Sequence, residues 1–166
     1  YVAAKAKLLK KANVAIINKD DHSYSYVKKH LKNKTIVTYG LKKDSKINPH
    51  MFHFQTKLVG KFNQYNALAA IAALLELKIP DEKIRRGIAS FKAPAGRQEI
   101  VSQKDFLVIN DFAHTPNSFA SILPEVKKLT NSRLIHVFGA AAKRDQYKRP
   151  EMGKISAQYA DIVVLT

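Results

Sequence analysis

The chain has no cysteine, which excludes disulfides and thiolate metal sites and suits a cytoplasmic setting. No apolar run approaches the roughly 20 residues of a membrane span, and no secretory signal is visible at Tyr1. Acid is scarce: 13 Asp and Glu stand against 29 Lys and Arg, a net charge of +16. That balance admits nucleic acid, a nucleotide or an anionic lipid surface as partner. The lysines, however, are scattered through KKANVA, VKKHLKNK and GLKKDSK with no repeated basic-aromatic module. That distribution favours an ordinary solvated surface over a nucleic-acid footprint. Two catalytic signatures are also missing: there is no G-x-x-x-x-G-K-[ST] phosphate loop and no G-x-S-x-G nucleophile elbow. No internal repeat or low-complexity tract is present.

What is there suits a globular core: 46% of the 166 residues are hydrophobic. YVAAKAKLLKKANVAIINKDD reads as a helix already under way that runs into a buried strand, and DIVVLT is a strand at the far end. We therefore expect a piece of a longer protein. Between these ends the pattern predicts a helix at 2–11, strands at 13–18 and 35–40 and a helix at 24–31. An alternating strand is expected at Met51–Leu58, followed by a deeply packed helix over 63–78. Pro80 and the acidic residues after it open a further helix. KAPAGRQ is the best boundary in the chain, and RQEIVSQKDFLVIND reads as a hairpin leading into a parallel sheet.

The stretch Phe106–Pro150 organises the rest. It contains two strand-to-helix turns, and a third strand follows at 161–166, the pattern of a parallel α/β sheet. Ligands of such sheets collect at the carboxyl ends of the strands, where both polar clusters lie. In the first turn, Asp111 is suited to ribose hydroxyls, and Thr115 as N-cap would set His114 beside free helix amides. The bland alternative is that Asp111 and Thr115 only shape the turn. The second turn, KRDQYKRP, gathers Lys143, Arg144, Lys148 and Arg149, suited to a carboxylate or phosphate, or simply to solvent. In GKFNQYNALAA, Asn63 and Asn66 share a helix face and could read a purine edge; alternatively, Asn63 only caps the helix.

YVAAK…AIINKDD, GKFNQYNALAAIAA, PAGRQE, NDFAHTPNS and FGAAAKRDQYKRPEMG, in that order, resemble the Mur ligase family over nearly the whole chain. The resemblance implies an ATP-dependent amide ligase of peptidoglycan synthesis. Such an enzyme phosphorylates the carboxylate of a UDP-sugar peptide, and an amino acid's amine then displaces phosphate. The expected reaction is addition of the third amino acid to UDP-N-acetylmuramyl-L-alanyl-D-glutamate. ATP and Mg²⁺ are the implied cofactors, the implied location is the cytoplasm and the implied state a monomer, without nucleic-acid partner or membrane insertion. The implied fold is α/β. Residues 1–95 would be the later half of the central ATP-binding domain, and 96–166 the first part of a Rossmann-like C-terminal domain.

By position, the resemblance makes Lys5 a carbamylated lysine that presents an anionic oxygen to Mg²⁺. It sets Asn63 and Asn66 at adenine, Arg97 at the nucleotide from the hinge, Asp111 at ribose and His114 facing the nucleotide. Arg144 would hold the incoming amino acid's carboxylate, with Lys148 and Arg149 as further candidates in the same loop. Two departures stand out. Ala140, Ala141, Ala142 and Lys143 replace the family's usual Cys-Gly-Gly-Asp, and the segment between Gly40 and Gly60 looks short. The phosphate loop, the other metal ligands and the motif that chooses the amino acid would lie outside this stretch, which is therefore expected to be inactive alone. A Mur-type relative with a glutamate-chain or lipid-linked substrate, a basic nucleic-acid-binding module and a decayed ligase homologue are the alternatives.

Overall fold

The computed structural model describes residues 2–31, 33–140 and 145–166, and the chain divides into two compact units, Tyr1–Lys92 and Ala93–Thr166. In the first unit, helix α1 (Val2–Lys11) is rich in Ala, Leu and Lys and ends on Lys10 and Lys11, where cations suit the helix dipole. Strand β1 (Val14–Asn18) alternates, turning Ala15 and Ile17 inward. Helix α2 (Tyr24–Lys29) crosses to β2 (Thr35–Tyr39), which pairs with β1 in parallel from Val14↔Thr35 to Asn18↔Tyr39. Val27 and Leu31 complete the core around Ala15 and Ile17.

Helix α3 (Lys61–Glu76) starts at Gly60, whose φ of 98° is open to glycine and strained for other residues. Gly60, and not Asn63, is therefore the cap. α3 buries Asn63, Ala67, Leu68, Ile71 and Ala72 while Lys61, Gln64 and Ala70 remain exposed, so it is packed along one side and not deeply enclosed. Helix α4 (Asp81–Ser90) opens with Asp81 and Glu82 in its first turn. Phe52, Leu68, Ile71 and Ile84 form the second core cluster of this unit. Burying each such side chain contributes about 1.5–3 kcal/mol.

Met51–Leu58 is not a strand. The buried Asn48 side-chain oxygen accepts the N–H groups of His50 (2.9 Å) and Met51 (3.2 Å), and its main-chain carbonyl takes that of Phe52 (2.9 Å). The chain is thus turned where extension was expected. Phe52 drops into the core beneath the Arg85 guanidinium, 4.1 Å from the ring centroid. The alternating aromatics are anchors for a loop, with Phe54 packed against the same cluster.

In the second unit, β3 (Glu99–Gln103) and β4 (Leu107–Asn110) form an antiparallel hairpin with an irregularity between Ile100 and Ser102. Helix α5 (Pro116–Lys127), β5 (Ile135–Phe138), α6 (Lys148–Tyr159) and β6 (Ile162–Leu165) follow. β5 and β6 pair in parallel from Ile135↔Ile162 to Phe138↔Leu165. Among the described residues β4 pairs only with β3, so the expected single parallel sheet of three strands is corrected to a hairpin and a parallel pair. The short connection between Gln103 and Leu107 makes the β3–β4 pairing cheap in loop entropy.

Phe119, Ile122, Leu123 and Met152 are the core of this unit. His136 is inserted beside it, its Nδ1 2.7 Å from the buried Ser156 hydroxyl and its ring against Phe119 and Phe138. The Asp161 carboxylate accepts both the Leu134 N–H (2.7 Å) and the Lys127 ammonium (2.6 Å), tying the starts of β5 and β6 to the end of α5. The class is α/β with parallel strand pairs, and among the described residues no helix is long and apolar enough to cross a membrane.

Candidate functional site

Each unit carries a polar cluster beyond its strand ends. In the first unit, Asp20 and Asp21 follow β1. Asp20 Oδ2 accepts the Leu41 N–H (2.7 Å) and the Tyr65 hydroxyl (3.0 Å). Burial works against that charge, but the hydrogen bonds from Leu41, Tyr65 and Lys42 outweigh it and hold the carboxyl below its ordinary range. Burial and the bond to Asp20 push the Tyr65 hydroxyl up. Asp21 is lowered, first by the Ser23 hydroxyl and N–H and further by the charges of His22 and Lys5. Lys5 is thus an exposed cation on α1 within the field of Asp21.

On α3 the two asparagines are linked. Asn63 Nδ2 donates to the Val59 carbonyl (2.7 Å), and Asn66 Nδ2 donates to Asn63 Oδ1 (3.1 Å). Asn63 is buried and braces the start of the helix, while Asn66 is exposed. Asn66 is therefore the better placed of the two to offer an amide to a ligand.

In the second unit the residues converge on a side chain that sequence reasoning passed over, Phe112. The Arg97 guanidinium lies over its ring, 4.5 Å from the centroid, and His114 meets the ring edge-on at 5.0 Å. Phe112 is 58% exposed, so this platform faces solvent. Asp111 holds it together: Oδ2 accepts the Gln98 N–H (2.8 Å) and Oδ1 the Ala113 N–H (2.8 Å). Gln98 has φ of 48°, a left-handed conformation that costs energy for a residue with a Cβ and needs such a hold. The turn-shaping reading of Asp111 is thus realised. A carboxylate has about four lone-pair sites, however, so accepting two amides still leaves capacity for two hydroxyls.

Thr115 caps α5 reciprocally: its hydroxyl accepts the Ser118 N–H (3.2 Å), and Ser118 Oγ accepts the N–H groups of Thr115 (2.9 Å) and His114 (3.1 Å). The amides nearest His114 are therefore occupied by Ser118. The His114 ring nitrogen Nδ1 lies 2.9 Å from the Phe112 carbonyl, which fixes the ring's orientation. Arg144 lies outside the described residues. Lys148 and Arg149 are the first two residues of α6, where positive charge opposes the helix dipole, so helix stability does not account for them.

Among the described residues no group of three or more His, Asp and Glu side chains could hold a metal ion. Lys5 as an ammonium repels Mg²⁺, so these residues do not form a metal site by themselves, and only a carbamate at Lys5 would make it a ligand. The overlooked members, Phe112, Asp20 and Tyr65, had weak signals: an exposed aromatic inside a polar loop, and a second acid placed just after a strand that ends in asparagine.

Two family models match the chain: "Mur ligase middle domain" at residues 1–74 and "Mur ligase, glutamate ligase domain" at residues 96–166. A UDP-N-acetylmuramoyl-L-alanyl-D-glutamate--2,6-diaminopimelate ligase from Aquifex aeolicus (strain VF5) is 39% identical over 186 residues, covering 100% of this chain and 38% of that protein. A solved structure of a ligase of the same description has a TM-score of 0.66 at 26% identity, covering 99% of this chain and 39% of its own. The UDP-N-acetylmuramoylalanyl-D-glutamyl-2,6-diaminopimelate--D-alanyl-D-alanyl ligase of Acinetobacter baumannii superposes at 0.79 with 18% identity, over 99% of this chain and 41% of its own. The last shares the fold alone.

The α/β fold is thus shared with these ligase structures. With both family models matched in order over most of its length, the chain belongs to the Mur ligase family. It spans about two fifths of the length of the curated relatives it matches.

Proposed function

We propose that the parent protein is an ATP-dependent, ADP-forming amide ligase of peptidoglycan precursor synthesis. In this reading it adds the third amino acid to UDP-N-acetylmuramoyl-L-alanyl-D-glutamate in the cytoplasm, as a monomer. The amino acid to test first is 2,6-diaminopimelate, which the relatives' names carry. Residues 1–95 are then the later half of the central ATP-binding domain, and 96–166 begin the C-terminal domain. The observation that carries the reading is the Arg97–Phe112–His114 group held by Asp111, a cation and an exposed ring beside a carboxylate.

In this reading Asn66, braced by Asn63, reads the adenine edge, and Asp111 accepts the ribose hydroxyls. Arg97, preorganised on Phe112, pairs with phosphate, and His114 faces the nucleotide from the start of α5. Arg144, Lys148 and Arg149 hold the carboxylate of the incoming amino acid. An oxygen of the UDP-peptide carboxylate attacks the γ-phosphorus of ATP and ADP leaves, giving an acyl phosphate. The amine then attacks the acyl carbon, the C–N bond forms, phosphate departs with the C–O electron pair, and the amine's proton passes to solvent. Mg²⁺, with Lys5 as its carbamate, would supply neutralisation of phosphate charge.

The test is phosphate release by the full-length protein with ATP, Mg²⁺, UDP-N-acetylmuramoyl-L-alanyl-D-glutamate and a panel of amino acids. Release that requires both the dipeptide and one amino acid is expected. No release with any amino acid, or release indifferent to the dipeptide, overturns the reading.

A further inference from the structure

Tyr65 sits between Asn63 and Asn66 in the first turns of α3, and its hydroxyl is bound to Asp20, 45 residues earlier in the chain. The same Asp20 oxygen takes the Leu41 N–H just after β2. Asp20 is itself held, its N–H donating to Asn18 Oδ1 (3.0 Å), while the Lys19 N–H before it donates to the Tyr39 carbonyl (2.8 Å). One carboxylate thus joins the ends of both parallel strands to the start of α3. Gly40 makes room for it: a Cβ there would lie 2.8 Å from Asp20 Oδ2 and 2.5 Å from Ser45 Oγ.

The buried apolar residues of α3, Ala67, Leu68, Ile71 and Ala72, begin directly after Asn66, and Lys61, Gln64 and Asn66 are exposed. The turn that bears Asn66 is thus packed on one side through Ala67 and Leu68 and held on the other by polar contacts, the Asn66–Asn63, Asn63–Val59 and Asp20–Tyr65 bonds. Successive residues are about 100° apart around a helix, so a tether at Tyr65 acts on the rotation of the residue next to it, Asn66. At a side-chain radius of about 5 Å, a rotation of about 20° moves an amide by about 1.7 Å. A hydrogen bond does not survive such a shift.

We propose that Asp20 is a positioning residue for the base end of the nucleotide site: through Tyr65 it fixes the rotation of the first turn of α3 and so the direction in which Asn66 presents its amide. This rests on the reading of Asn66 as a purine-edge contact. Asp20 touches no substrate in this account. Its effect falls on nucleotide recognition, and the peptide and amino-acid sites are untouched.

The experiment uses the full-length protein and compares wild type with Tyr65→Phe, Asp20→Ala, Asp20→Asn, the Asp20→Ala/Tyr65→Phe double variant and Asn66→Ala. Readouts are the KM for ATP and for GTP, the KM for the UDP-dipeptide, kcat, and Tm. Tyr65→Phe keeps the ring packing and loses only the hydroxyl, so folding does not confound it. We expect Tyr65→Phe and Asp20→Ala each to raise the ATP KM by about tenfold, the scale of one hydrogen bond to a charged acceptor. Discrimination of ATP over GTP should fall with it, while the dipeptide KM and kcat change by less than about twofold. Asp20→Asn, which keeps an acceptor oxygen, should recover most of the loss, and the double variant should be no worse than Asp20→Ala alone.

A lowered Tm with unchanged ATP KM and unchanged base discrimination in both single variants overturns the proposal and makes Asp20 a brace of the fold only. If wild type uses ATP but Asn66→Ala leaves its KM unchanged, the base-contact assignment falls and takes the proposal with it. A wild type that consumes no ATP overturns the proposed function itself.

Discussion

Asp20 and Asp111 both lie just beyond a strand that ends in asparagine, β1 at Asn18 and β4 at Asn110, yet they spend their oxygens differently. Asp20 accepts main-chain N–H groups of Leu41 and Lys42 and, on the oxygen that takes Leu41, a tyrosine hydroxyl on a helix far along the chain. Asp111 uses both oxygens on main-chain N–H groups of its own neighbourhood, Gln98 and Ala113. The first arrangement steers an element through a side chain. The second builds a loop whose side chains, Arg97, Phe112 and His114, project outward. A hydroxyl released by a mutation can turn to water, but an amide in a strained turn has fewer ways out, so the two aspartates should differ in what their loss does.

The largest effect is expected at Asp111. Asp111→Ala strips two amides of their acceptor and releases the positive φ of Gln98. Stability should fall by about 2–3 kcal/mol, read by denaturant titration, and the ATP KM should rise by roughly two orders of magnitude. Equal stability losses at Asp20 and Asp111 would erase the contrast between them.

A middle-sized effect concerns acid. The folded Asp20 carboxyl lies below its ordinary range, so on acidification the unfolded chain takes up the proton first. The stabilisation is complete above the unfolded value of about 3.9 and is lost as pH falls from there through the folded value. Asp20→Asn should flatten this acid limb in denaturation midpoints measured across pH. Part of the limb should persist from Asp21 and Asp161, whose carboxyls are lowered by the Ser23 hydroxyl and the Lys127 ammonium. An acid limb unchanged by Asp20→Asn would contradict the account of its hydrogen bonds.

The smallest effect belongs to the outward-facing ring. Phe112→Leu removes the face beneath Arg97, and an exposed cation–π contact is worth about 0.5–1 kcal/mol. The ATP KM should rise by only about threefold and Tm should hardly move. A large drop in Tm would mean that Phe112 is part of the fold and not of a platform.

Much of the local structure was legible because it rests on local physics. The Ala-Leu-Lys run gave α1, the Pro80 and Asp81 start gave α4, and the 99–110 segment gave a hairpin. Met51–Leu58 misled because Phe52 and Phe54 mimic strand alternation, while the feature that bends the chain is a buried side chain three residues earlier, Asn48. Which strand neighbours β4 is a non-local question that pattern alone does not answer. At the site, Asp111 and Thr115 stood out from their place after a strand and before a helix. Lys5 and Arg97 entered only through the family resemblance. Phe112 escaped notice because an exposed phenylalanine has no polar handle, and the Asp20–Tyr65 bond because no local pattern links residues that far apart.

The space at Gly40 also bears on how this sequence can drift. A methyl group there collides with the Asp20 carboxylate and the Ser45 hydroxyl, and Asp20 in turn is the acceptor that Tyr65 reaches for. Positions 20, 40 and 65 are therefore not free to vary one at a time. A lineage that fills position 40 should also have abandoned the acid at 20 and the hydroxyl at 65, so the three should be exchanged together as a linked set.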